Sequence, residues 1–194
     1  MKRFIIAGHS VQTPGAISYL GTTEHFYTNE LQDLVVSLAG QNGGIIRSQG
    51  SSMSFFEDSE RIGNAQVRDF INSQSKPGDY GIDIHFNNNH PTATGTEVVI
   101  HPNTGPENRR RAAYMVNEIS KVLKIPLRRR VPSRDWIFPS ETFVGRIGII
   151  EQTKIPMILL EVCFLNKRDL TKYLKQKMAV ARIIYQAMFV QNFK

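Results

Sequence analysis

The run Met157-Ile158-Leu159-Leu160-Glu161-Val162-Cys163-Phe164 constrains the fold more than any other stretch of the 194 residues. Behind Pro156, four consecutive apolar residues suit a strand covered on both faces of a sheet, because a strand with one wet face alternates. Glu161 closes that run where a buried strand normally gives way to a turn. One explanation is an ion pair with a nearby Arg or Lys at the strand end, the usual fate of a buried acid. The histidines upstream suggest another.

The rest of the chain alternates strand and helix patterns around that run. Residues 3 to 7 read as a first strand that leaves through Gly8-His9-Ser10. Thr22 or Thr23 is a plausible N-cap whose hydroxyl can satisfy a free backbone N–H, and Glu24 then falls near the helix start, where the dipole favours an anion. Leu31, Leu34, Val35 and Leu38 recur at helical spacing, and Asn42-Gly43-Gly44 stops that helix. Ile45-Ile46 starts a short strand, Ser48 to Ser52 reads as a loop, and a weaker helical pattern runs from Ile62 through Val67 and Ile71 toward Pro77-Gly78. Tyr80 to Phe86 and Gly95 to Ile100 read as strands. Pro106 opens a helix marked by Ala112, Met115, Val116, Ile119 and Leu123. Residues 125 to 145 have no clear period and read as a long surface loop, bordering a substrate groove together with Arg146. A closing amphipathic helix follows Asn166. This alternation predicts one α/β domain spanning 1–194, an open, mostly parallel sheet with helices on both faces, and no separate cell-wall-binding domain.

Cys163 is the only cysteine, so an intrachain disulfide and a Cys-based zinc site are both excluded. No apolar run approaches a membrane span, and Phe4 to Ala7 is too short for a signal-peptide core, so the expectation is a protein made in the cytoplasm without a signal peptide. The chain carries 24 Lys and Arg against 17 Asp and Glu, a net charge of +7 that favours a polyanionic partner. Arg109-Arg110-Arg111 and Arg128-Arg129-Arg130 lack the aromatic interleaving of a single-strand-binding platform, so nucleic acid is not the expected partner, and both runs read as solvated faces.

His9, Glu24, His85 and Glu161 each follow a strand or open the helix after one. In an open α/β sheet such positions converge on the crevice beyond the strands' carboxyl ends. Two imidazoles and a carboxylate form a catalytic zinc ligand set, and a second carboxylate off the metal can take a proton from water. Spacing alone leaves Glu30 as an alternative to Glu24, and His25, His90 and His101 as competing nitrogen donors.

Four segments in order carry a resemblance: Ala7-Gly8-His9; Pro14-Gly15-Ala16 with Gly21-Thr22-Thr23-Glu24; Ile84-His85-Phe86-Asn87 with Gly95-Thr96-Glu97-Val98; and Ile158 to Phe164. Over essentially its whole length the chain resembles the zinc-dependent N-acetylmuramoyl-L-alanine amidases of the autolysin and phage-endolysin type. The resemblance implies Zn²⁺ held by His9, Glu24 and His85, with Glu161 as the second essential glutamate. It also implies peptidoglycan as substrate and the bacterial cell wall as the place of action, with the basic surface meeting an anionic envelope. A zinc peptidase of the stem peptide and a non-catalytic wall-binding domain are the alternatives. Ser10 stands where the family commonly has Gly, Thr13 where Asp often precedes Pro-Gly, Asp83 where Ser usually sits two before the second histidine, and Cys163 where Gly is frequent. The Asn166 to Asp169 spacing is also one residue off the common form.

Overall fold

The computed structural model describes residues 1–40, 45–47 and 60–193. Five strands form one sheet in the order β2-β1-β3-β5-β4. They are β1 (Arg3–Ala7), β2 (Ile45–Arg47), β3 (Tyr80–Asn87), β4 (Glu97–Ile100) and β5 (Met157–Phe164). All pairs are parallel except β4 with β5. The helices are α1 (Glu24–Ala39), α2 (Glu60–Gln74), α3 (Pro106–Leu123), the short α4 (Gly148–Glu151) and α5 (Lys167–Tyr185), which runs on into a π-helical turn, Gln186–Val190. Among the described residues no helix is long and apolar enough to cross a membrane. The expected loop at Ser48 to Ser52 and the helix stop at Asn42 to Gly44 lie outside the described residues; α1 itself ends at Ala39, with Gly40 at φ 58°.

Side chains alternate across a strand, so each strand supplies two cores. Ile5, Ile82, Ile84, Phe86, Val98, Ile100, Ile158, Leu160 and Val162 face α1, α3 and α5 in the larger core. Phe4, Ile6, Val99, Met157 and Leu159 face the other way, against Val67 and Ile71 of α2 and Ile150 of α4. Helices therefore cover both faces, as the alternation predicts. The register between β3 and β5 shifts beyond His85, and Cys163, fully buried in the larger core, stands in that irregular stretch.

Helix α1 is fastened to β1 by polar groups on its inner side. Thr28 Oγ1 donates to the Gly8 carbonyl at 2.7 Å, and one turn later Gln32 Nε2 donates to the Ile5 carbonyl at 2.6 Å. Thr23 is the N-cap residue, but its hydroxyl caps nothing. The preceding loop folds back instead, so that the Ala16 carbonyl accepts from Glu24 N at 2.7 Å and the Pro14 carbonyl from His25 N at 3.0 Å. Backbone acceptors thus satisfy the free N–H groups that every helix start presents. At the start of α5 the N-cap Asn166 accepts from Asp169 N at 3.1 Å, while the Asp169 carboxylate holds Thr94 Oγ1 and Gly95 N at 2.8 and 2.9 Å. That bond anchors the loop leading into β4.

Two expectations need correction. Residues 125 to 145 are not simply a surface loop: Leu127 bridges to Thr96 and Ile137 to Val99, and Ile125, Ile137 and Pro139 are buried. The segment covers the β4 edge, which would otherwise offer unpaired backbone groups. Nor is the first arginine run all solvated. Arg111 is buried, stacks 3.9 Å from the centre of the Tyr80 ring and donates through Nε to the Ala187 carbonyl. Arg3 Nε and Tyr80 Oη both donate to the neighbouring Met188 carbonyl. These donors take up carbonyls at the carboxyl end of the final helix, where the helix itself provides none.

Candidate active site

On the α2 side of the sheet the apolar rows stop partway along the strands. Ile6, Asp83, Leu159 and Val99 lie abreast in one row, and the next row toward the carboxyl ends is His85, Glu161 and Glu97. β1 has ended by then. Gly8 extends it by donating to the Ile84 carbonyl at 2.8 Å, which sets Gly8 beside the His85 ring. A Cβ on Gly8 would stand 2.4 to 2.7 Å from three atoms of that ring, so only glycine leaves the ring its place.

His9 follows with φ 66°, in the left-handed region that a non-glycine residue rarely adopts and that recurs where a site dictates backbone direction. Its Nε2 lies 3.0 Å from Glu24 Oε2, and His85 Nδ1 lies 3.1 Å from Glu24 Oε1. Glu24 is buried and also accepts from Phe86 N at 3.0 Å and Ala16 N at 3.3 Å. Gly15, at φ 73°, closes the cradle: a Cβ there would lie 2.7 Å from His9 and 2.8 Å from Glu24.

Burial alone would raise the proton affinity of Glu24, but hydrogen bonds and charge from His85 and His9 overcome it and hold the carboxyl far below its usual range. Burial would lower that of His85, yet Asp83 and Glu24 raise it well above the ordinary imidazole value. Each ring nitrogen of His85 faces a carboxylate, Glu24 at Nδ1 and Asp83 at Nε2, an arrangement that favours a proton on each when no metal is bound.

The sequence-derived residues thus fall into two sets. His9, Glu24 and His85 offer three ligand atoms within 4.8 Å of one another. Glu161 is in register with His85 on the next strand. The competing donors do not join them. His90 Nδ1 bonds to Thr92, His101 Nδ1 accepts from Asn103 N, and the buried His25, near the Gly8-His9 backbone, is outside the converging set with Nδ1 unpartnered among the described residues. Glu30 pairs with Lys177 at 2.5 Å. Two imidazoles and an ionised carboxylate that converge on one point, with backbone room kept open by two glycines, fit a zinc ion.

Glu161 shows no ion pair among the described residues, and its Oε2 is buried without a hydrogen-bond partner. Burial pushes its carboxyl up to about 8; His85 opposes that shift, and the negative neighbours Glu24, Glu97 and Asp83 add to it. A buried acceptor without a partner asks for a proton or a water.

Sequence reasoning left three participants without a role. Asp83 meets His85, and the signal was their spacing of two on one strand, which places both on one face. Glu97 accepts from Asn87 Nδ2 at 2.8 Å and pairs with Arg128 at 2.9 Å, while Arg128 lies 4.9 Å from the centre of the Phe164 ring. Arg128 therefore stands at the site's rim through Glu97, whereas Arg129 pairs with Asp135 and Arg130 is exposed. Arg146 leads into α4, whose following residues Gln152 and Lys154 bond to Arg68 and Asn72 of α2.

Comparison with known proteins covers nearly the whole chain. The family model described as N-acetylmuramoyl-L-alanine amidase matches residues 4–189. An N-acetylmuramoyl-L-alanine amidase from Clostridium difficile is similar in structure with TM-score 0.73 at 20% identity, covering 96% of this chain and 93% of that one. The catalytic domain of an endolysin targeting Clostridia Difficile gives TM-score 0.74 at 20% identity, covering 99% and 98%. The catalytic domain of CwlV, an N-acetylmuramoyl-L-alanine amidase from Bacillus (Paenibacillus) polymyxa var. colistinus, gives 0.72 at 21% identity, covering 96% of each. At such identities the likeness establishes a shared fold. No curated protein matches the sequence.

Proposed function

Because the chain belongs to the N-acetylmuramoyl-L-alanine amidase family, we propose that it is a zinc-dependent peptidoglycan hydrolase cutting the amide between the lactyl group of N-acetylmuramic acid and L-alanine. The observation that carries this reading is Glu24 bridging His9 and His85 within 3.1 Å of each, with Glu161, unpaired among the described residues, one strand away. His9, Glu24 and His85 hold the metal. When bound, zinc supplies a Lewis acid that polarises the amide carbonyl and makes water more acidic.

Glu161 takes a proton from the attacking water and returns it to the departing L-alanine nitrogen. A carboxyl that its surroundings raise to about 8 exchanges protons near neutral pH, where a general acid–base group works best. Gly8 and Gly15 keep the imidazoles and Glu24 in place beside it. A groove of about 570 Å³ lined by Tyr19, Asn88, Asn89, Lys167 and Arg168 suits the stem peptide. The reading extends to an endolysin whose catalytic domain meets the anionic wall through a basic surface, supported by the net charge of +7 and by the fold shared with an endolysin domain.

The test is digestion of purified peptidoglycan with and without a chelator, followed by mass analysis of the fragments. The expected products are free stem peptides with new L-alanine amino termini and intact glycan strands, formed only when zinc is present. Cleavage within the stem peptide would make the protein a peptidase, and no cleavage would make it a wall-binding domain.

A further inference from the structure

We propose that Asp83 is a positioning residue of the metal centre: it accepts the Nε2–H of His85 and thereby commits the Nδ1 lone pair to the metal. The inference rests on the zinc reading above. It goes beyond it by giving a role to a residue that stands where the resembled family usually has serine.

The placement of Asp83 calls for a cause. Its neighbours in register are Ile6 and Leu159, so a carboxylate interrupts an apolar row, and it does so nearly buried at 6% exposure. A buried charge there is costly without a partner. The partner is His85, with Nε2 3.2 Å from Oδ2, while Oδ1 has none among the described residues. The ring therefore supplies the hydrogen bond that Asp83 needs.

The ring needs Asp83 in return. His85 lies against the Gly8 backbone, so its plane is set by contact, and the remaining freedom is a half-turn about its own axis. A half-turn exchanges Nδ1 with a carbon and Nε2 with a carbon, presenting C–H edges to both Glu24 and Asp83. With two carboxylates on opposite edges of the ring, only the observed orientation makes both bonds. Glu24 alone rewards that orientation once; Asp83 rewards it again and also selects the tautomer with its proton on Nε2. A carboxylate on the far nitrogen of a ligating histidine fixes ring and tautomer and strengthens the nitrogen as a donor. Direct ligation by Asp83 does not fit, because the site's three convergent atoms come from His9, Glu24 and His85, and Asp83 sits on the other edge of the ring.

The experiment measures zinc affinity of the full chain by competition with a chromophoric chelator, for the unaltered protein, Asp83→Ala and Asp83→Asn. Imidazole nitrogen NMR of the zinc-loaded proteins accompanies it. Asp83→Ala should bind zinc about 10- to 100-fold more weakly, the usual worth of such a partner. Asp83→Asn keeps an acceptor oxygen and the same size, so it should fall between the two and also carries the test if the alanine variant fails to fold. The unaltered protein should show a slowly exchanging, downfield Nε2 proton on one histidine that Asp83→Ala lacks. A carboxylate that merely supports the fold would change the melting temperature without altering that resonance. Equal zinc affinities, or an unchanged Nε2 proton in Asp83→Ala, would overturn the inference and leave the zinc reading standing. An unaltered protein that takes up no zinc would overturn both.

Discussion

Along β3 and β5 the face of the sheet that meets α1, α3 and α5 is apolar, whereas the face toward α2 and α4 changes chemistry partway. Along β5 the first face presents Ile158, Leu160 and Val162, and the second presents Met157, Leu159 and then Glu161. Along β3 the contrast is Ile82, Ile84 and Phe86 against Gly81, Asp83 and His85. The same strands thus carry stability on one side and reactive groups on the other. One residue of register separates them, because a slip of one would exchange the faces. The larger core is what holds that register.

The comparison is broken most severely by removing the metal's grip. His85→Ala should abolish stoichiometric zinc binding, measured by elemental analysis after gel filtration, while the metal-free protein still folds, with a lowered melting temperature because Glu24 and Asp83 lose the partner between them. A collapse of the fold would mean that the second face also carries stability. Leu160→Ala on the first face should do the reverse. It should cost about 2–5 kcal/mol in chemical unfolding, as large-to-small changes in packed cores do, with zinc stoichiometry kept in the folded fraction. Smallest of all should be Glu30→Ala, which removes a partly exposed ion pair with Lys177 worth at most about 1 kcal/mol. Its zinc content should match that of the unaltered chain, and loss of zinc in this variant would return Glu30 to the ligand set.

The strand pattern and the helix order were legible because they rest on periodicity, whereas His9, Glu24 and His85 were picked out from Glu30 and the other histidines by the family resemblance. What escaped depends on contacts between distant segments. Thr23 looked like a capping hydroxyl, yet the Ala16 and Pro14 carbonyls cap α1, because the loop after His9 must fold back to bring Glu24 under the histidines. Arg111 looked like part of a wet basic run, yet Tyr80 and the end of the last helix bury it. Residues 125 to 145 had no period to read because their two single-residue bridges to Thr96 and Val99 leave no repeating pattern. Glu161 was legible as an anomaly, but that it lacks an ion pair among the described residues required the fold.

Glu161 tests the central claim most directly, since its side chain interrupts a core strand and makes no ion pair among the described residues. Glu161→Gln keeps the size of the side chain and cannot take a proton. The measurement compares turnover on purified peptidoglycan with melting temperature and zinc content in one preparation. The account predicts turnover lower by about two to four orders of magnitude, the usual worth of a positioned general base, with melting temperature and zinc unchanged. Near-normal turnover, or a variant that neither folds nor holds zinc, would contradict it.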